Sequence, residues 1–195
     1  MKRVSGSGKL TGKKSGTIRI IAGQWRGRKL PVKDMEGLRP TTDRNKETLF
    51  NWLMHDISGA RCLDMFAGAG SLGFEALSRW AESCVFIEKN NVAASQLYAN
   101  CTLLNANATV KEGDALSVVS SLNQQFDVVF VDPPFHSGLI QPALNALTNS
   151  GALAPQAKIY IEHEATAGEI TLPDGAVVAK EKRLSQLHYY LVQLP

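Results

Sequence analysis

From residue 60 onward, short apolar runs alternate with stretches of helical periodicity, and this alternation constrains the fold more than any other feature. The apolar runs are ARCLDMF, SCVFIEK, ATVKEGD, FDVVFVDPP and AKIYIEHE, and the helical stretches between them include LGFEALSRWA and LIQPALNALTN. Such alternation predicts a parallel sheet covered by helices on both faces. The closing segment AVVAKEKRLSQLHYYLVQL predicts two more strands, antiparallel and at one edge. We therefore expect an α/β fold with a mostly parallel seven-stranded sheet and an antiparallel edge strand.

The N-terminal part of the chain departs from this pattern. Residues 1–16 hold four Gly and almost nothing apolar, so they cannot bury enough surface to offset their ordering entropy, and we expect a flexible basic leader. Residues 17–40 carry β-branched runs on either side of a glycine-containing turn, which predicts a β-hairpin extension. A Thr/Asp cap then precedes apolar residues at helical spacing, so a helix begins the core, which we place at residues 41–195 of a single domain.

Charge is distributed unevenly along the chain. Residues 1–46 contain 13 Lys and Arg against 3 acidic residues, a net charge of +10. Residues 47–195 contain 8 basic and 15 acidic residues, a net charge of −7. A basic arm fused to an acidic body is the pattern expected for binding a polyphosphate backbone, as in a nucleic acid. The alternative is a solvated tail that has no ligand.

Membrane insertion, secretion and metal binding find no support in the sequence. Spanning a membrane takes about 18 consecutive apolar residues, which no stretch of this chain approaches, and the basic N-terminus lacks the apolar run of a secretory signal. Cys62, Cys84 and Cys101 are odd in number and lack CxxC spacing, so they indicate buried free thiols instead of a disulfide framework or a zinc site. We expect a cytoplasmic protein with no metal site and no membrane partner.

A glycine-rich turn follows the first strand of the predicted sheet. The segment DMFAGAGSLG spans residues 64–73, and Gly68, Gly70 and Gly73 let the backbone turn sharply and approach a ligand closely. Glu88 ends the next predicted strand twenty positions after Gly68, where a carboxylate can accept hydrogen bonds from ribose hydroxyls. A nicotinamide dinucleotide enzyme satisfies this pattern equally well, because GxGxxG alone is a weak signal.

Two later strand ends separate these possibilities. Asp114 and Ala115 follow a strand within the sequence GDA, and DPPF at residues 132–135 ends the strand VVFV. A dinucleotide enzyme has no use for DPPF, although a polar strand terminus would explain Asp-Pro-Pro taken alone. In combination with the glycine turn and Glu88, DPPF indicates a catalytic loop.

DPPF suits the methylation of an amino group. The amino lone pair of guanine or adenine is delocalised into the ring, which makes it a poor nucleophile. The Asp132 side chain and the Pro133 carbonyl can accept the two amino hydrogens and hold nitrogen in line with a sulfonium methyl group, while Pro133 and Pro134 keep the loop stiff. Phe135 would stack on a base taken out of its helix, unless it is a core aromatic residue.

These residues resemble those of the RsmD family of small-subunit ribosomal RNA guanine-N2 methyltransferases. The similar region runs from about Ile18 to Leu191, and its marks are RIIAGQWRGRKL, LRPTTDRNKETLFNWL, CLDMFAGAGSLGFEALSR, FVDPPF and KRLSQLHYYL. The combination of GQWRGR with RPTTDR is much more specific to this family than FVDPPF, whose last four residues are shared with many amine methyltransferases. The resemblance implies a class I methyltransferase (Rossmann-like) fold, S-adenosylmethionine as the cofactor, and ribosomal RNA within a small-subunit particle as the partner of a monomeric protein.

The resemblance also assigns roles by position. It implies that the methionine part of the cofactor is lined by Phe66, Gly68 and Gly70. Glu88 would hold the ribose, and Asp114 and Ala115 would meet the adenine. Asp64 is also implied as a cofactor-binding residue. Thr42 and Arg44 lie in the block that folds over the cofactor in similar enzymes, although a helix cap explains Thr42 nearly as well. The implied RNA phosphate contacts are Arg26, Arg28, Lys29 and Arg39.

Three alternatives stay open. Adenine-N6 methylation of RNA or DNA uses the same kind of loop, because DPPF or a close variant serves either amine. A non-catalytic RNA-binding assembly factor could retain the fold without the activity. A nicotinamide oxidoreductase would share the glycine turn and would bind NAD.

Overall fold

A computed structural model of the chain describes residues 16–33, 42–166 and 168–195. The predicted leader, apart from Gly16, and the predicted phosphate contact Arg39 lie outside these residues. The strands are β1 (Gly16–Arg19), β2 (Lys29–Val32), β3 (Arg61–Asp64), β4 (Ser83–Glu88), β5 (Ala108–Glu112), β6 (Phe126–Val131), β7 (Leu153–Glu164), β8 (Val177–Arg183) and β9 (Leu187–Gln193). The helices are α1 (Asp43–Trp52), α2 (Ser71–Ser78), α3 (Asn91–Leu104), α4 (Ala115–Val119) and α5 (Ile140–Ser150).

Seven of the strands form one sheet in the order β5-β4-β3-β6-β7-β9-β8. Strands β3 to β7 pair in parallel, and β9 runs antiparallel to both of its neighbours. The sheet and the separate β1–β2 hairpin confirm the predicted fold class. The chain order reverses between β3 and β6, and in open α/β sheets ligands bind beyond the carboxyl ends of the strands at such a point.

The two closing strands lie at one edge of the sheet and pair antiparallel, as predicted, with β9 inside and β8 at the edge itself. The burial of the two strands explains this order. Strand β9 buries Leu187, Tyr189, Leu191 and Val192, whereas most of β8, with the sequence VVAKEKR, is exposed. Charged side chains on an edge strand discourage pairing with another chain, so β8 suits the outer position.

The core consists of two apolar layers, one on each face of the sheet. Strand β6 contributes to both, since Val128 and Phe130 pack into one cluster while Val129 and Val131 pack into the other. All four side chains are fully buried, and each stabilises the fold by about 1.5–3 kcal/mol through burial. The predicted central strand buried on both faces is thereby confirmed. This rigid strand carries the loop that begins at Asp132.

Helix α1 packs an apolar face onto the core layer that contains Val128 and Phe130. Leu49, Phe50 and Leu53 are buried, and the Thr42 side chain accepts a hydrogen bond from Asn45 N at 3.3 Å, as expected of an N-terminal cap. Asn45 also donates to the Tyr189 hydroxyl at 2.7 Å. The start of the helix is therefore tied to β9.

The hairpin is anchored to α2 by buried polar side chains. Glu75 is fully buried, and its carboxylate accepts hydrogen bonds from Ile21 N at 2.8 Å and Ala22 N at 3.1 Å. Ser78 Oγ donates to Ala22 O at 2.6 Å and accepts from Trp25 N at 3.0 Å. Because an unsatisfied buried donor costs about 1–3 kcal/mol, these contacts fix where the hairpin sits.

Cys62, Cys84 and Cys101 are buried free thiols, as the sequence indicated. Among the residues that the structure describes, no helix is long and apolar enough to cross a membrane.

Candidate active site

The glycine turn connects β3 to α2 and requires glycine for conformational and packing reasons. Gly68 and Gly70 have φ values of 52° and 78°, in the left-handed region that other residues rarely adopt. A Cβ atom at Gly70 would lie 2.6 Å from Leu97 and 2.7 Å from Phe74, closer than real contacts allow. The backbone therefore lies directly against core side chains at this position.

Glu88 holds this turn in place. It ends β4 beside β3, and its carboxylate accepts hydrogen bonds from Gly68 N and Asn90 N, each at 2.7 Å. A carboxylate has about four lone-pair positions, so these two contacts leave capacity for ribose hydroxyls. The acidic end of β4 therefore lies directly beside the glycine turn.

Asp64 is a buried acid beneath the turn. Its carboxyl oxygen accepts a hydrogen bond from Gly73 N at 3.0 Å. Burial raises the pKa of Asp64 to about 7, the Gly73 hydrogen bond opposes this shift, and the nearby charge of Glu88 adds to it. The group thus changes protonation close to neutral pH, and its main observed contact is to the helix that carries the turn.

Asp114 and Ala115 lie at the adjoining strand end, after β5. The Asp114 side chain caps α4 by accepting from Ser117 N at 3.3 Å, and it lies 3.8 Å from the Lys89 ammonium group. Ala115 is buried. Since β5 pairs in parallel with β4, these residues belong to the same edge of the sheet as Glu88.

The DPPF loop leaves β6, the strand next to β3. Asp64 is the register partner of Phe130, and Met65 N donates to Phe130 O at 3.1 Å. Because the two strands are parallel, the glycine turn and Asp132 leave the sheet at the same edge, side by side. We call the carboxyl ends of β3 to β6, with residues 64–70, 88, 114–115 and 132–135, the site edge.

Contacts from β7 hold the DPPF loop. The Glu164 carboxylate accepts a hydrogen bond from His136 N and lies 3.5 Å from His136 Nδ1. His136 has a φ of 56°, so the chain turns sharply directly after Phe135. Phe135 is half-buried and packs against the core cluster that contains Phe130, which supports the structural reading of this residue while leaving part of the ring accessible.

A cavity of about 110 Å³ lies behind this loop. The loop residues Pro133, Pro134 and Phe135 form one wall. The end of β7 forms another, and the segment that leads into α5 completes the boundary. We call this space the β7 cavity.

Known proteins resemble this chain over most of its length. A family model described as Conserved hypothetical protein 95 matches residues 18–193. The Escherichia coli K12 protein named Ribosomal RNA small subunit methyltransferase D is 49% identical over 180 residues, which cover 92% of this chain and 91% of that protein. The Haemophilus influenzae protein of the same name is 49% identical, with coverage of 91% and 94%. The chain belongs to the RsmD family.

Solved structures support the fold of this RsmD-family chain. The Escherichia coli protein yhhF superimposes with a TM-score of 0.86 at 47% identity, covering 92% of this chain and 98% of the other. A Haemophilus influenzae structure gives a TM-score of 0.80 at 44% identity, with coverage of 92% and 100%.

The other predicted site residues of this RsmD-family chain lie at two different places. Thr42 caps α1, and Arg44 is exposed on its first turn. Arg26, Arg28 and Lys29 are exposed on the hairpin. The hairpin turn contacts Ser78 at the end of α2, an eight-residue helix, so it lies about 12 Å along that helix from the glycine turn. The predicted phosphate contacts are therefore on a flank of the site edge.

Sequence reasoning missed several buried polar residues. Glu75 and Lys46 are 0% and 1% exposed, and the Lys46 ammonium group donates to Arg19 O. Burial lowers the pKa of Lys46 even though the charges of Glu75 and Asp43 oppose that shift. An acidic residue within the apolar helix LGFEALS was a signal for a buried carboxylate. Tyr160 and His163 in β7 gave no comparable signal.

Proposed function

We propose that this chain transfers the methyl group of S-adenosylmethionine to the N2 amine of a guanine in small-subunit ribosomal RNA. The observation that carries the proposal is the position of the glycine turn and the DPPF loop, which leave the neighbouring parallel strands β3 and β6 at one edge. A methyl donor held at the first and an amine held at the second would meet between them. The names of the RsmD relatives supply the substrate class, ribosomal RNA of the small subunit.

The residues of the site edge fit the cofactor. Gly68 and Gly70 keep side-chain atoms away from the turn, Glu88 retains acceptor capacity for a ribose diol, and Asp114 with Ala115 would border the adenine. Phe66 and Asp64 would border the methionine part, and Thr42 and Arg44 would cover it from α1. When bound, the cofactor supplies an electrophilic methyl group on a sulfonium.

The DPPF loop would prepare the amine for direct displacement at the methyl carbon. The Asp132 carboxylate and the Pro133 carbonyl accept the two amino hydrogens, which orients the nitrogen lone pair toward the methyl group. When bound, the cofactor would supply the methyl group and would leave as its thioether, and the Asp132 carboxylate would take the amino proton that is released. Pro133 and Pro134 limit movement of the loop, and Phe135 stacks on the extruded base.

The basic hairpin would bind the RNA backbone. Arg26, Arg28 and Lys29 are exposed on the hairpin, whose turn contacts the end of α2 that is remote from the glycine turn, so they would contact phosphates at some distance from the extruded base. Such contacts give affinity without reading sequence. We place the reaction in the cytoplasm, with a monomer acting on RNA in a small-subunit particle.

Analysis of modified nucleosides tests the proposal. Small-subunit particles from cells that lack the protein are incubated with the protein and labelled S-adenosylmethionine, and the RNA is digested to nucleosides. We expect N2-methylguanosine at one position. A product of N6-methyladenosine alone would refute the guanine assignment, and the absence of any methylated product would favour the assembly-factor alternative.

A variant pair tests the role of the DPPF loop. Asp132→Ala should lower the rate of methyl transfer about 100-fold or more, because the amine loses its orientation. The matched control is Asp174→Ala, an exposed Asp in the turn before β8, which should leave the rate unchanged. Retained activity in Asp132→Ala, with normal folding shown by circular dichroism, would contradict the mechanism.

A further inference from the structure

An exposed tryptophan lies at a helix end where glycine is the usual residue. Trp80 follows α2 with a φ of 65°, in the left-handed region, and 60% of its surface is exposed. Its backbone N–H donates to Leu77 O at 3.1 Å, and Ala81 N donates to Ala76 O at 3.1 Å. These two hydrogen bonds define a Schellman motif, in which the left-handed position is most often glycine.

The side chain of Trp80 makes this helix end less stable than glycine would. In the left-handed region the Cβ atom comes close to the following carbonyl oxygen, so residues other than glycine, asparagine and aspartate are strained there. Packing explains the choice only in part, because most of the Trp80 surface is open to solvent. A large aromatic surface that is both strained and exposed indicates a contact with another molecule.

The turn of the basic hairpin meets the helix end at the same place. Gln24 N donates to Ser78 O at 2.8 Å. Gln24 Nε2 donates to Leu77 O at 3.0 Å, the oxygen that also accepts from Trp80 N. A Cβ atom on Gly23 would lie 1.8 Å from Ser78 O, so only glycine allows this close approach. Trp80 thus adjoins a turn whose position is fixed.

The charge of this turn selects the kind of partner. Arg26 and Arg28 belong to the turn, and both are exposed. Glu82, the acidic residue nearest to Trp80 in the sequence, is exposed as well, so the two arginines leave an excess of positive charge. Proteins bind single-stranded nucleic acid with this combination, since the cations contact phosphates while an aromatic ring stacks on a base.

Resting on the proposed function, we propose that Trp80 is a stacking platform for an unpaired base of the ribosomal RNA substrate. Helix α2, with eight residues, is about 12 Å long and separates Trp80 from the glycine turn. The stacked base is therefore a different nucleotide from the one that is methylated. Every base has an aromatic face, so this contact adds affinity and leaves the choice of base to the site edge.

Two substitutions separate stacking from apolar contact. Trp80→Leu removes the ring but keeps a large apolar side chain, whereas Trp80→Phe keeps an aromatic face. Binding is measured to small-subunit particles and to protein-free small-subunit ribosomal RNA, both from cells that lack the protein, over a series of KCl concentrations. We expect Trp80→Leu to weaken binding to both by about tenfold, and Trp80→Phe to weaken it much less.

The salt dependence is a readout that damage to the hairpin would change. Trp80→Leu removes no charge, so the slope of the logarithm of the association constant against the logarithm of the salt concentration should equal that of wild type. In the methylation assay, KM should rise while kcat stays unchanged, because the contact is equal in the ground state and the transition state. Leu103→Ala, at a position on α3 that is also 60% exposed, is the control and should bind like wild type.

Loss of affinity in Trp80→Leu, with an unchanged salt slope and near-normal binding by Trp80→Phe, supports the inference. Wild-type affinity in Trp80→Leu, an equal loss in both variants, or a smaller salt slope overturns it. A loss on particles but not on protein-free RNA would instead assign Trp80 to a ribosomal protein.

The proposed function fails separately from this inference. N6-methyladenosine as the product would refute guanine methylation and leave the stacking contact in place. If the wild-type protein binds neither the particles nor the RNA, both the proposed function and the inference are wrong.

Discussion

The site edge and the hairpin extension are held in place by different kinds of interaction. At the site edge, parallel pairing of the strands β3 to β6 brings the functional loops together, and the Glu88 carboxylate adds hydrogen bonds that hold the glycine turn. The hairpin of residues 16–33 is docked instead through buried polar side chains of other elements: Glu75, Ser78, Lys46 and Asn100.

This difference separates the effects expected of mutations. At the site edge, strand pairing keeps the strand ends in place when a single side chain is removed, so the loss should fall on the local loop and hence on ligand binding or catalysis. At the hairpin, one buried carboxylate satisfies several donors, so its removal should affect stability first.

Glu75→Ala should lower the free energy of unfolding by about 3 kcal/mol, because an uncompensated buried charge and unpaired donors remain. The affected groups are Ile21 N, Ala22 N and the guanidinium of Arg79, which lies 2.8 Å from the carboxylate. Urea denaturation measures the change. Glu82→Ala, an exposed residue just beyond α2, should change stability by no more than about 0.5 kcal/mol. Equal stabilities of the two variants would show that the Glu75 carboxylate does not contribute to docking the hairpin.

Glu88→Ala should weaken binding of S-adenosylmethionine about 10- to 100-fold, the range expected for hydrogen bonds to a charged group. Calorimetric titration gives the dissociation constant. The control is Glu112→Ala, because Glu112 is the register partner of Glu88 on β5 and is exposed. RNA affinity should be the same in both variants. Unchanged cofactor affinity in Glu88→Ala would remove this residue from the ribose site.

Replacing Arg26 and Arg28 together by Ala should weaken RNA binding about tenfold. If each side chain contacts one phosphate, the slope of the logarithm of the association constant against the logarithm of the salt concentration should become smaller by about 2. Binding is measured over a series of KCl concentrations. A control with Lys111→Ala and Lys180→Ala, both exposed on the sheet, removes the same charge elsewhere. If both double variants lose affinity equally, net charge and not the hairpin governs binding.

Asp64→Asn tests the buried acid beneath the glycine turn. The folded protein keeps the proton up to a pKa of about 7, whereas the unfolded chain releases it near its ordinary value, so between these values the folded state binds more protons. Wild-type stability contributed by this group is therefore lost as pH rises toward 7. The Asn variant lacks this loss, and its advantage should grow by on the order of 1 kcal/mol between pH 5 and pH 7.

Urea denaturation at several pH values measures that difference. Asp174→Asn, at an exposed position, serves as the control and should follow the wild-type pH dependence. A constant gap between Asp64→Asn and wild type across the range would show that Asp64 is ionised throughout.

The pattern of apolar and polar residues along the chain was enough to predict the sheet, the hairpin and the strand ends that carry Gly68, Glu88, Asp114 and Asp132. This succeeded because strand and helix periodicity is a local property, and because the carboxyl ends of parallel strands share one edge. Relative burial placed β9 inside β8, a choice between two antiparallel neighbours that their order in the chain leaves open.

Only the tertiary structure decided which polar side chains are buried and what they contact. Glu75 meets Ile21 from 54 positions away in the sequence, and Asn45 meets Tyr189 across 144 positions. His163 belongs to a strand that reads as IYIEHE, and nothing in that run distinguishes a buried acceptor from an exposed one. Such contacts depend on how separate elements pack together, because the free energy of a buried polar group is set by its neighbours in space.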